Sequence, residues 1–167
     1  IGFFDENGFL YVGGRSDDVI NTAGHRISSS EIESICMSLT EIKESCVIAK
    51  PDNVLGEKPV LFISVLPNEI DNTDSLLKKL AKVIKDKLSA YHQPDEINIF
   101  QNLPKTKSGK IMRRIMRNLS KDLIIEENKD YSTLANPSEF AESAYIYFKE
   151  KIDELCKNKF MFSIDDK

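Results

Sequence analysis

No stretch of this chain approaches the ~18 consecutive apolar residues of a membrane-spanning helix. Histidine occurs only as His25 and His92. The three cysteines, Cys36, Cys46 and Cys156, lack the paired spacing of a metal site. A protein-held metal is therefore not expected. The cysteines read as reduced thiols of a cytoplasmic-type protein, with Cys36 in the core. No internal repeat, low-complexity block or signal peptide is visible. The chain opens at Ile1-Gly2-Phe3-Phe4-Asp5 rather than at a methionine. What remains is 167 residues, 41% hydrophobic and 30% charged, enough for one compact core with an appendage.

Charge is unevenly placed. The chain carries a formal −4, yet residues 105–117 hold six cations (Lys105, Lys107, Lys110, Arg113, Arg114, Arg117) and no acid. They follow a proline, in the run Leu103-Pro104-Lys105-Thr106-Lys107-Ser108-Gly109-Lys110-Ile111-Met112-Arg113-Arg114. A Ser-Gly turn shapes the loop and a basic helix follows. Such a loop suits an anionic ligand and can carry one lysine to a reacting group; a solvated basic helix is the plainer alternative. A phosphate-cradling P-loop is excluded. Pro104 stands five residues before Gly109, where that motif needs glycine, and Ile111 offers no hydroxyl after Lys110.

A second segment is Gly13-Gly14-Arg15-Ser16-Asp17-Asp18-Val19-Ile20-Asn21-Thr22-Ala23-Gly24-His25-Arg26-Ile27-Ser28. Phe9 to Val12 reads as a short strand broken by the two glycines. Val19-Ile20 and Arg26-Ile27 form the arms of a tight antiparallel ribbon turning near Ala23-Gly24. Glycine there allows positive φ and lets another molecule approach the backbone. A surface hairpin with a soluble rim would look the same.

The rest reads as an α+β core. Ser30-Glu31-Ile32-Glu33 has the form of a capping box, and Ile32, Ile35, Cys36 and Leu39 fall on one helical face. Residues 45–49 and 60–66 are apolar, β-branched runs bounded by Pro51 and the Asn53 to Pro59 turn, giving two neighbouring buried strands. Asp74 opens a longer helix with the stripe Leu76, Leu80, Ile84 and Leu88 and lysines on its other sides. Pro94 ends that region, and residues 96–100 form a third strand. Glu126 to Asp130 is an exposed connection and Phe140 to Cys156 a final helix.

The two motifs, about ninety residues apart in this order, resemble those of the adenylate-forming enzymes. Within that superfamily the chain resembles the C-terminal domain of short-chain acyl-CoA synthetases of the acetyl-CoA or propionyl-CoA synthetase kind. Gly14 to Asn21 and Gly24-His25-Arg26 match the family's hinge and ribbon motif. Leu103 to Arg114 matches its catalytic-lysine motif, with Lys107 where arginine is frequent. Tyr131-Ser132-Thr133-Leu134-Ala135-Asn136-Pro137 resembles its Ser-Thr-Leu-x-x-Pro signature. The likeness covers roughly residues 1–140. It implies a small mobile C-terminal domain with an N-terminal β-ribbon and a three-stranded sheet flanked by helices. Residues 1–120 would be this lid, and residues 121–167 a polar connection with a helical extension.

The resemblance also implies a chemistry. Lys110 would stabilise the charge that develops when a carboxylate attacks the α-phosphate of ATP, forming acyl-adenylate and pyrophosphate. Ser108 and Gly109 would shape the loop, and Lys105 and Lys107 would assist its docking. The domain would then swing about Asp17 so that coenzyme A can attack the adenylate. Arg15 would contact the nucleotide, the pantetheine thread would pass Gly24, Arg26 would help position coenzyme A, and Lys85 would lie near its 3′-phosphate. ATP and coenzyme A are then substrates, with Mg2+ arriving with ATP in the full-length enzyme and not bound by this domain. The partners implied are a missing N-terminal domain of the same chain, acetate or propionate, and a deacetylase acting on an acetylated Lys110. No membrane or nucleic-acid partner is expected. The implied location is cytoplasmic and also nuclear, with an organelle left open by the absent N-terminus.

A basic loop-helix module for nucleic acid is the alternative function. Against it, residues 105–117 lack interleaved aromatics. Removing their six positive charges from the total of −4 leaves −10 on the remainder, and the pI is about 5.3.

Overall fold

The structure, a computed structural model, describes residues 2–12, 14–67, 69, 73–120 and 133–162; for Asp17 and residues 150–162 it describes the backbone only. The expected connection at Glu126 to Asp130, with Tyr131 and Ser132, lies outside the described residues.

Strands β1 (Gly2–Phe4) and β2 (Leu10–Val12) pair as a separate antiparallel hairpin. A 3-10 turn at Ser16–Asp18 leads into β3 (Val19–Thr22) and β4 (His25–Ser28), the expected ribbon, followed by α1 (Ser29–Cys36). Next come β5 (Ile42–Asp52) and β6 (Gly56–Val65), antiparallel to each other, and α2 (Thr73–Lys87). Strand β7 (Glu96–Phe100) lies parallel to β6, and α3 (Arg113–Ser120) and α4 (Pro137–Phe162) complete the fold. The ribbon joins the three-stranded unit β5-β6-β7 where Thr22 pairs with Gly56, making one sheet of five.

Both faces of that sheet are covered, which explains why Val60 to Val65 are all buried. Successive side chains point to opposite faces. Val47, Leu61 and Ile63 meet Ile32 and Cys36 of α1, Leu76, Leu80 and Ile84 of α2, and Ile20 and Ile27 of the ribbon. Cys46, Ile48, Val60, Phe62 and Phe100 meet Ile115, Met116 and Leu119 of α3 and Phe140, Ala144 and Tyr147 of α4. The order is helices, sheet, helices.

Three local expectations change. Helix α1 is capped by Ser28, without a side-chain cap bond, and Glu33 is not half of a capping box. Two stronger donors claim its carboxylate: the Val47 N–H and the Arg113 guanidinium. Leu39 is buried on the expected face but in the turn after the helix, its N–H bonded to the Cys36 carbonyl. Strands β5 and β6 run through Pro51 and Pro59, so the turn between them is only residues 53–55. Strand β5 is at the sheet edge, where proline's missing donor costs least. No helix among the described residues is long and apolar enough to cross a membrane.

Candidate active site

Lys110 lies on a tight hairpin, not at a helix start. The Gly109 N–H donates to the Thr106 carbonyl at 2.8 Å, and the Thr106 N–H donates to the Lys110 carbonyl at 2.8 Å. Gly109 adopts φ 81°. This is a three-residue loop closed by a left-handed residue, which glycine supplies without steric cost. The Thr106 hydroxyl accepts from the Lys110 N–H at 3.1 Å and pairs with the Ser108 hydroxyl at 2.9 Å. Lys107, Ser108, Gly109 and Lys110 are all exposed. Helix α3 begins only at Arg113, so the Lys110 ammonium does not oppose that helix's dipole.

Both arms of the hairpin are anchored. Lys105 does not face outward: its ammonium pairs with Glu44 of β5. Arg113 forks onto Glu33, Nη1 to Oε1 at 2.5 Å and Nη2 to Oε2 at 2.7 Å, and donates to the Val47 carbonyl at 3.0 Å. Its Nε lies 3.4 Å from Asp18, which also accepts from Arg117 at 2.6 Å. The Glu33 hydrogen bonds push the Arg113 guanidinium to still greater basicity, so it is a permanent cation. The segment from residue 133 onward braces the other side. Leu134 bridges Thr106, the Ala135 N–H donates to the Lys105 carbonyl at 2.8 Å, and the Asn136 amide spans the Lys105 N–H and the Leu103 carbonyl.

Beside the hairpin is a cleft of about 620 Å³. Five cations line it (Arg15, Lys110, Arg113, Arg114, Arg117) against two acids, Asp18 and Glu33. Those two acids are committed to Arg113 and Arg117. No carboxylate among the described residues pairs with the Lys110 ammonium. The cleft therefore suits an anion, and Lys110 is an exposed cation at its edge.

Gly24 occupies the far end of the ribbon. Ala23 and Gly24 have φ 51° and 83°, the twist of a primed hairpin turn. The Ala23 N–H is held by the Leu55 carbonyl at 2.8 Å. A Cβ built on Gly24 meets nothing within 4 Å, so the chain itself leaves that face open. Arg26 is exposed on β4 opposite Asn21. Arg15 and Asp18 border the ribbon's base, so its four-residue length, roughly 13 Å at strand rise, separates Gly24 from the Lys110 cleft. Lys85 is exposed on α2. The 3-10 turn Ala90–His92 lies between α2 and the ribbon, with Tyr91 stacked on His25 at 4.0 Å. Asp17 falls in the turn Ser16–Asp18, between the β1-β2 hairpin and the ribbon. Burial pushes the Cys36 and Cys46 thiols up to about 12, which leaves neither as a nucleophile. No group of three or more His, Cys, Asp or Glu among the described residues could hold a metal ion.

Residues 31–110 match the sequence model of the AMP-binding enzyme C-terminal domain. This chain carries that domain. The chain is 34% identical over 155 residues to an acetyl-coenzyme A synthetase of Mesorhizobium japonicum, covering 93% of this chain and 22% of that protein. It is 37% identical over 154 residues to the human mitochondrial acetyl-coenzyme A synthetase 2-like protein, covering 92% and 21%. The chain thus spans about a fifth of the length of the curated relatives it matches. Among solved structures, an acyl-CoA synthetase of Brucella canis superposes with TM-score 0.59 at 33% identity, over 72% of this chain and 22% of that one. An anthranilate CoA ligase in complex with anthranoyl-AMP superposes with TM-score 0.65 at 33% identity, over 71% and 23%.

In this AMP-binding C-terminal domain the sequence reading missed Glu33, Glu44, Asp18 and Asn136. Glu33 was hidden by its capping-box spacing. Glu44 carried a signal: it is a carboxylate entering an apolar strand, where a charge needs a partner. Asn136 carried a weaker one, an asparagine directly before a proline, the pattern of a helix start; in the structure its carbonyl accepts the Phe140 N–H that opens α4.

Proposed function

We propose that this chain is the C-terminal part of an acid–thiol ligase that activates acetate, or propionate, with ATP and passes the acyl group to coenzyme A. The observation that carries the reading is the exposed Lys110 ammonium, on a hairpin braced at both arms and open to a cleft of excess positive charge. A carboxylate attacking an α-phosphate concentrates negative charge, and a preorganised cation stabilises it without reorganisation cost. In this reading Lys110 is the catalytic cation of adenylation, with Ser108 and Gly109 setting its turn and Lys107 free to face the docking partner. Lys105 contributes by anchoring rather than by touching substrate. Arg15 meets the nucleotide. Asp17 is the pivot, and rotation there brings the open backbone of Gly24, with Arg26, to the pantetheine thread. Lys85 sits near the 3′-phosphate of coenzyme A. Residues 1–120 act as the lid and residues 121–167 as a polar connection and C-terminal helical extension. The acyl pocket and most of the ATP site, with its Mg2+, belong to an N-terminal domain of the same chain. Acetylation would silence Lys110 by removing its charge, and a deacetylase would restore it.

The location this reading implies is cytoplasmic, with nucleus and organelle as further destinations. The nucleic-acid alternative is disfavoured because Lys105, Arg113 and Arg117 are paired with Glu44, Glu33 and Asp18. Half of the basic cluster is thus unavailable to phosphates. The test is acetate-dependent and propionate-dependent pyrophosphate exchange by the full-length protein, beside a gel shift with nucleic acid at physiological salt. Exchange without a shift supports the ligase. A shift without exchange contradicts it.

A further inference from the structure

We propose that Glu33 and Glu44 are positioning residues that clamp the two arms of the Lys110 hairpin and thereby fix where the Lys110 ammonium can reach. This rests on the ligase reading of the same site. The two carboxylates come from different elements, Glu33 from α1 and Glu44 from β5, and hold the chain at the start of the seven-residue hairpin and just past its end. Glu44 takes Lys105, the residue opposite Ile111 where the hairpin closes. Glu33 takes Arg113 with both oxygens, three residues beyond Lys110. The Glu33 side chain is 15% exposed and the Glu44 side chain 15% exposed, so neither is an idle surface charge. Glu33 also accepts the Val47 N–H at 2.7 Å, and Glu44 the Ser64 hydroxyl at 3.3 Å, so each carboxylate is itself fixed to the sheet. A three-residue loop could fold without either pair. Its own hydrogen bonds between Thr106, Gly109 and Lys110 close the turn. What the clamps add is orientation of the whole hairpin relative to the sheet, and an error of about 1 Å in such a group costs about 100-fold in rate.

The test uses the full-length enzyme. Glu44→Lys and Lys105→Glu each place like charges against one another, and the exchanged pair carrying both substitutions restores opposite charges. Each single substitution should lower acyl-adenylate formation by about 10- to 100-fold, with thioester formation from supplied acyl-adenylate within about twofold of the parent. The exchanged pair should recover most of the loss. Glu33→Gln should show the same selective loss; where it fails to fold, the exchange at 44 and 105 still decides. A loss shared equally by both half-reactions, adenylation unchanged in the single variants, or no recovery in the exchanged pair overturns the proposal. Absence of adenylation in the unsubstituted enzyme would instead overturn the ligase reading itself.

Discussion

Arg117 donates to the Asp18 carboxylate at 2.6 Å, joining α3 to a residue 99 positions earlier in the chain. Asp18 is the neighbour of Asp17, and the same carboxylate lies 3.4 Å from Arg113. The ribbon and the Lys110 hairpin are therefore tied together just C-terminal to Asp17, the proposed pivot, and a rotation there would carry them as one body.

This tie should be visible in stability. Asp18→Ala leaves Arg117 without its carboxylate in a half-buried site. Losing a partner of this kind costs about 1–3 kcal/mol. Urea unfolding should show a lower midpoint with an unchanged slope. A midpoint equal to the parent would mean the pair contributes nothing.

Acid should loosen the ribbon tip through a different residue. Asp52 accepts the N–H groups of Val54 and Leu55 and so shapes the turn whose Leu55 carbonyl holds Ala23. Those two bonds, with Lys58 beside them, lower the Asp52 carboxyl from the ordinary 3.8 to about 2. The folded state thus resists protonation that the unfolded chain accepts. The stabilisation is fully present above pH 3.8 and is lost as pH falls towards about 2. Asp52→Asn should flatten the pH dependence of melting temperature across that window. An unchanged slope would contradict it.

The pivot proposed at Asp17 can be stiffened. Asp17→Pro fixes φ within the turn Ser16–Asp18. In the full-length enzyme pyrophosphate exchange should survive, while acyl-CoA formation falls by about tenfold or more. Equal loss of both would place the pivot elsewhere.

The chain by itself should be inactive, because the acyl pocket is assigned to the upstream part of the enzyme. Purified residues 1–167 should release no acetate-dependent pyrophosphate. Detectable release would contradict the assignment.

Much of this was legible in the sequence because it depends on local pattern. The ribbon turn needs glycine at positive φ, and Ala23-Gly24 announced it. The strands β5 and β6 are apolar on both faces, and the stripe Leu76, Leu80, Ile84 lies at helical spacing. The placement of Lys110 was legible only as a motif. Its hairpin geometry depends on Thr106 bonding across to Lys110, which periodicity does not detect. The clamps were not legible, since Glu33 and Arg113 are 80 residues apart and Glu44 and Lys105 are 61 apart. Glu44 entering an apolar strand signals that a partner is needed but not which one, and in Glu33 a local motif gave a competing explanation.

The central claim, that Lys110 and Gly24 serve two different half-reactions from two ends of the ribbon, is tested most directly by a crossover of variants in the full-length enzyme. Lys110→Ala should abolish adenylation, by about 100-fold or more, and leave thioester formation from supplied acyl-adenylate largely intact. Gly24→Leu should do the reverse. Because leucine at φ 83° also strains the backbone, by about 1–2 kcal/mol, Gly24→Asn is the companion: asparagine tolerates that conformation yet still adds a side chain to the open face. It should hold the parent melting temperature and lose thioester formation. Opposite losses in the Lys110 and Gly24 variants are the predicted result; parallel losses of both half-reactions would contradict the account.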